Sequence, residues 1–78
     1  MPQNKVESLS QSSAIWRINQ VRHETGLSRS YIYQLAKLGL FPKPVNLVPG
    51  GTSVGWLSSE INAWLEERIA ERDQEVEA

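Results

Sequence analysis

A glycine-bounded run, GLSRSYIYQLAKLG (residues 26–39), is followed within five residues by Pro42 and Pro44, and this leaves the middle of the chain few options. Gly26 supplies a left-handed stop for whatever helix comes before it. Gly39 does the same at the far end, and the two prolines forbid continuation. Between the glycines, Ile32, Leu35 and Ala36 recur at the i, i+3, i+4 spacing of one buried helical stripe, and Ser28 stands where an N-cap belongs. The run must be a short helix held by one face. A chain of 78 residues offers one small core to hold it against, near the lower size limit for a self-sufficient domain.

The flanking segments divide accordingly. Residues 1–13, MPQNKVESLSQSS, are polar and aperiodic and read as a flexible arm. Order begins near Ala14-Ile15-Trp16, a stretch suited to an edge strand or a turn that packs Trp16. A first helix is expected from Asn19 as N-cap to Thr25, with Ile18 and Val21 apolar. Val45–Val48 and Val54–Leu57 flank Pro49-Gly50-Gly51-Thr52-Ser53, the pattern of a β-hairpin with a longer loop. Ser58 or Ser59 caps a last helix through about Arg72, with Ile61, Trp64, Leu65 and Ile69 as its stripe, and residues 74–78 form a frayed acidic tail. A hairpin cannot hide its own apolar face and must lie on the helices. The expected fold is mostly α with a small β-hairpin, a winged helix-turn-helix over residues 14–73. Trp56 and Trp64 are expected in its core.

The outward face of the central helix needs an explanation. At 100° steps, Ile32, Leu35 and Ala36 share one arc of about 100°, with Tyr31 and Leu38 at its edge. Arg29, Ser30, Tyr33, Gln34 and Lys37 fall on the other side. A solvated face normally mixes signs, but residues 25–59 contain no Asp or Glu. The net charge of −1 averages two unlike regions. From Trp16 to Lys43, Arg17, Arg22, Arg29, Lys37 and Lys43 stand against Glu24 alone, a balance of +4. From Ser58 onward, seven carboxylates face Arg68 and Arg72, a balance of −5. Beyond a Debye length of roughly 8–10 Å, attraction to a polyanion follows the local patch. Arginine can bond bidentately to guanine, glutamine to adenine, and hydroxyls to phosphate, while Ser28 and Ser30 sit at a helix N-terminus that attracts phosphate.

The segments VRHETGLSRSYIYQLAKLGLFPKPVNL and VGWLSSEINAWLEERIAERD together resemble the AlpA family of small phage and prophage regulators, to which excisionases and MerR-type DNA-binding domains are related. Four separated pieces, TGLSRSYIY, LGLFPKPV, VGW and SEINAWL, occur in the family's order across residues 16–73. The resemblance implies a recognition helix at residues 28–38 in the major groove and a wing at 45–57 near the adjacent backbone or minor groove. It also implies DNA contact by exposed positions of that helix. The chain departs from the pattern at Gln34, where relatives often carry arginine, and at Thr52, Ser53 and Leu57, where relatives are often charged.

These readings converge on a DNA-binding regulator of a prophage or integrative element, acting on double-stranded DNA at an integrase or excision promoter. Phosphate anchoring falls to Arg22, Ser28, Lys37 and Lys43, and base readout to Arg29, Ser30, Tyr33 and Gln34. A recombination directionality factor working beside an integrase would use the same surface. A protein-interaction adaptor built on the acidic C-terminal helix is a third class. No enzymatic chemistry, cofactor or small-molecule substrate is expected. With no cysteine and the single His23, neither a disulfide nor a metal site is expected. No apolar run of about 18 residues is present, so neither a membrane span nor a signal peptide is expected, and the cytoplasm is the expected location. Specificity from so small a module calls for a second copy on DNA or a partner.

Overall fold

The chain enters its fold by crossing beside the strand that it will form last. The computed structural model describes residues 13–77. The expected arm therefore lies outside the described residues except for Ser13. In chain order the elements are β1 (Ile15–Trp16), α1 (Ile18–Thr25), α2 (Arg29–Lys37), β2 (Val45–Asn46), β3 (Val54–Leu57) and α3 (Ser58–Glu77). This is the expected winged helix-turn-helix outline with one addition. The hairpin β2–β3 gains β1 on its other edge, giving an antiparallel sheet in the order β1-β3-β2. Ile15 pairs with Leu57 and Trp16 with Trp56, while Val45 pairs with Gly55 and Asn46 with Val54.

Gly55 is what lets the central strand be covered. A Cβ there would lie 2.5 Å from Ile15 Cγ2 and 3.3 Å from the Trp16 carbonyl oxygen, so a side chain would make the Ile15 side chain move and crowd the β1 backbone. The wing tip turns through Val48-Pro49-Gly50-Gly51. The Gly51 amide donates to the Val48 carbonyl (2.8 Å) and Gly50 has φ 76°, which makes this a type II turn with proline and glycine in their preferred places.

The core is Val21 from α1, Ile32 and Ala36 from α2, Phe41 from the connector, Trp56 from β3 and Ile61 from α3. Four of these side chains, Val21, Ile32, Trp56 and Ile61, are fully buried. Each contributes about 1.5–3 kcal/mol by removal from water. Phe41 lies edge-on to Trp64 (centroids 4.8 Å, planes 69°). The connector beneath α2 is pinned twice: Trp64 Nε1 donates to the Leu40 carbonyl (2.8 Å) and Trp56 Nε1 to the Pro42 carbonyl (2.9 Å). Trp56 is core as expected, and Trp64 is half-buried at its margin.

Several element boundaries depart from expectation. Helix α1 starts one residue before Asn19, with Arg17 in the N-cap position and no side-chain cap. Because Trp16 is fixed in β1, the chain turns at Arg17, whose carbonyl accepts from the Gln20 and Val21 amides. Neither Ser58 nor Ser59 caps α3, because β3 runs into it without a loop. Instead Ser13 Oγ accepts from the Ser59 amide (3.4 Å). Ser58 exchanges two bonds with Ala14: its amide donates to the Ala14 carbonyl and its Oγ accepts from the Ala14 amide, both at 2.8 Å. Helix α3 runs on to Glu77, past the expected end near Arg72, where no glycine or proline interrupts a run of good helix formers. Ile69, expected in the buried stripe, is 45% exposed because the rest of the domain ends before the helix does.

Candidate nucleic-acid interface

Helix α2 is fastened at both ends. At its start Ser28 Oγ accepts from the Tyr31 amide (3.2 Å), the N-cap expected of that serine. At its end Gly39 has φ 79°, its amide donates to the Ala36 carbonyl (3.1 Å), and the Leu40 amide donates to the Leu35 carbonyl (2.9 Å). These paired bonds are a Schellman motif, in which a left-handed glycine closes the last turn. The turn leading into α2 is stitched as well. Thr25 Oγ1 donates to the Val21 carbonyl (2.8 Å) and accepts from the Leu27 amide (3.2 Å), and the Gly26 amide donates to the Arg22 carbonyl (2.8 Å). Only Gly26, Leu27 and Ser28 separate the two helices, the connection of a helix-turn-helix.

On this support Arg29, Ser30, Gln34 and Lys37 are all exposed. Two cations and two uncharged polar groups thus share one face without a carboxylate. Among the described residues the ion pairs are Arg68–Glu71 (2.7 Å) and Arg72–Asp73 (2.8 Å), both on α3, so none of the cations of α1 and α2 is neutralised by an acid. Arg22 and Ser28 line one shallow depression at the helix-turn-helix elbow, together with Asn19 and His23. Arg22 donates weakly to Asn19 Oδ1 (3.4 Å). This corner pairs a guanidinium with the open amides of a helix start, a suitable seat for a phosphate.

Two residues are placed differently from the sequence reading. Tyr33 is half-buried, with its ring edge-on to Trp56 (centroids 5.6 Å, planes 64°) and the Arg29 guanidinium carbon 5.6 Å from its centroid. Lys43 lies apart from the Arg22–Ser28 depression, in a groove between α2 and α3 that it shares with Glu60, Glu67 and Arg68. The same groove holds Tyr31, which is 47% exposed, and Leu40, 60% exposed. The involvement of Trp56 beneath the polar face escaped the sequence. Half of the signal was there: Arg29 and Tyr33 stand at i and i+4, where helical side chains meet.

The wing, residues 45–57, carries no charged residue. Val45, Leu47 and Val48 are 40%, 36% and 52% exposed. No described helix is long and apolar enough to cross a membrane.

The model of the family described as prophage CP4-57 regulatory protein (AlpA) matches residues 14–69. The uncharacterized protein ORF88 of Enterobacteria phage P4 is 48% identical over 62 residues, covering 80% of this chain and 68% of that protein. No solved structure matches the chain.

Proposed function

This chain belongs to the AlpA family of prophage regulatory proteins, and from that premise we propose that it regulates by binding double-stranded DNA through α2. One observation carries the proposal: a doubly capped helix, three residues after another, presents Arg29, Ser30, Gln34 and Lys37 with no acid nearby on its own or the preceding turn. In this reading α2 enters the major groove, which is about 12 Å wide and admits a helix. Arg29, Ser30 and Gln34 meet base edges. Lys37, Arg22 and the Ser28 corner hold phosphates. Lys43 contributes less, because Glu60 and Glu67 border the same groove. The uncharged wing lies along the backbone without an electrostatic role.

The site of action in this proposal is a promoter of an integrase or excision function. A single module of this size buries only about 600–1,000 Å² on DNA, so two copies or an integrase partner complete the specificity. The test is a titration of duplex DNA from the chain's own gene neighbourhood and of random duplex, at low and moderate salt. Wild-type protein should shift both, the first more tightly. Lys37→Ala should weaken all sequences alike and lower the salt slope by about one unit. No shift of random duplex at tens of micromolar and low salt would overturn DNA binding and leave a protein-interaction role, since non-specific binding falls within roughly 10⁻⁴–10⁻⁶ M even at physiological salt. Footprinting then separates a promoter from the arms of an attachment site.

A further inference from the structure

We propose that Tyr33 is a positioning residue whose ring, not its hydroxyl, sets the aim of Arg29. The proposal rests on the reading of α2 as the DNA-facing helix. A row of contacts leads from the core to the guanidinium. Trp56 is fully buried and locked by its indole bond to the Pro42 carbonyl (2.9 Å). The Tyr33 ring leans edge-on against Trp56 at 5.6 Å, and Arg29 lies over the Tyr33 ring, also at 5.6 Å. Each member is more exposed than the one beneath it, and the last is a free cation at the start of the helix.

The chemistry of this arrangement favours readout. An arginine can be oriented by a carboxylate or by an aromatic face. A carboxylate occupies the in-plane N–H donors, the same donors that form a bidentate bond with guanine. A ring face attracts the cation through its quadrupole and leaves that donor edge unused. Among the described residues, the ion pairs involve Arg68 and Arg72 and not Arg29. Arg29 therefore lies against a ring and not against a carboxylate, with no ion pair among the described residues to occupy its donors. Lysine would keep the attraction to the ring but has no planar donor fork for the ring to orient. Arg29 is the first helical residue and has no preceding turn to lean on, so the Tyr33 ring one turn later is the support placed for its guanidinium.

The experiment compares Tyr33→Phe, Tyr33→Leu, Arg29→Ala and the Tyr33→Leu/Arg29→Ala double variant. Leucine keeps apolar bulk against Trp56, and circular dichroism and thermal melts identify variants that remain folded at the assay temperature. In the free protein, NMR should show the Arg29 side-chain protons shifted upfield by the ring in wild type and in Tyr33→Phe. The shift should be lost in Tyr33→Leu. On the duplex that wild type selects from a random pool, Tyr33→Leu should bind about two- to fivefold more weakly than Tyr33→Phe, the scale of an exposed cation–π contact. That difference should vanish when Arg29 is already alanine.

Arg29 protons insensitive to Tyr33→Leu would overturn the stack. An equal loss from Tyr33→Leu with and without Arg29 would show that the ring merely supports the fold. An equal loss from Phe and Leu would assign the effect to the hydroxyl. If Arg29→Ala leaves binding unchanged while the upfield shift is present, the stack exists but Arg29 reads nothing and the positioning role fails; if wild type shifts no duplex at all, the DNA reading of α2 fails instead.

Discussion

Helices α2 and α3 are built on opposite plans. Helix α2 has 9 residues, capped by Ser28 at its start and by the Gly39 Schellman bonds at its end, and it buries Ile32 and Ala36. Helix α3 has 20 residues, of which Ser58 and Ile61 are buried and Trp64 and Leu65 are half-buried, all in its first half. Beyond Leu65 every side chain through Glu75 is exposed. The short helix carries cations without acids and the long one carries mostly acids. Isolated helices of a dozen residues are marginal in water. The difference teaches where this fold invests its rigidity: in the element that presents Arg29 and Lys37, not in the one that extends furthest.

The comparison can be broken at its foundation. Trp56 sits under α2 and touches Tyr33, so Trp56→Ala should cost about 3–5 kcal/mol in chemical denaturation and disorder α2 with the rest. If the loss is below about 1 kcal/mol, α2 is not held from beneath. Next in size, Arg29→Ala should weaken binding to a preferred duplex by about 1–3 kcal/mol and flatten discrimination between base pairs, measured by fluorescence anisotropy against a panel of single-base variants. A uniform loss across the panel would make Arg29 a phosphate anchor. Removing the cap by Ser28→Ala should cost about 1 kcal/mol of stability, visible as a lower melting temperature. Smallest of all, Arg72→Ala on the outer half of α3 should change stability by less than about 0.5 kcal/mol, since its ion pair with Asp73 is exposed on both sides. A larger effect would mean that the outer half of α3 is as firmly held as α2.

Local chemistry made α2 legible in the sequence. Its stripe, its capping serine and its glycine stop each act within one or two turns, so Ile32, Ala36, Ser28 and Gly39 fell where periodicity and cap rules put them. The hairpin was legible for the same reason, through Pro49-Gly50-Gly51. The rest depends on partners distant in the chain. Ile15 and Trp16 are too few to show a period, and only pairing with Leu57 and Trp56 makes them a strand. Phe41 has no helical or strand pattern around it, so its burial under Trp64 follows from the fold alone. Ile69 shows the reverse error: the period of α3 continues where there is no longer a domain to pack against. Of the candidate interface, Arg29, Ser30, Gln34 and Lys37 stand exposed on one helix as read. The half-buried setting of Tyr33 required knowing where Trp56 lies.

The two indole bonds to the connector have a consequence for exchange with solvent. Both tryptophans donate to carbonyls of the same short segment, Leu40 and Pro42, yet Trp56 is fully buried and Trp64 is not. The Trp56 indole proton should therefore trade for deuterium only when the whole domain opens, and the Trp64 proton when α3 alone lifts away. The gap between the two exchange rates is a clock on whether α3 can detach while the helix-turn-helix stays closed.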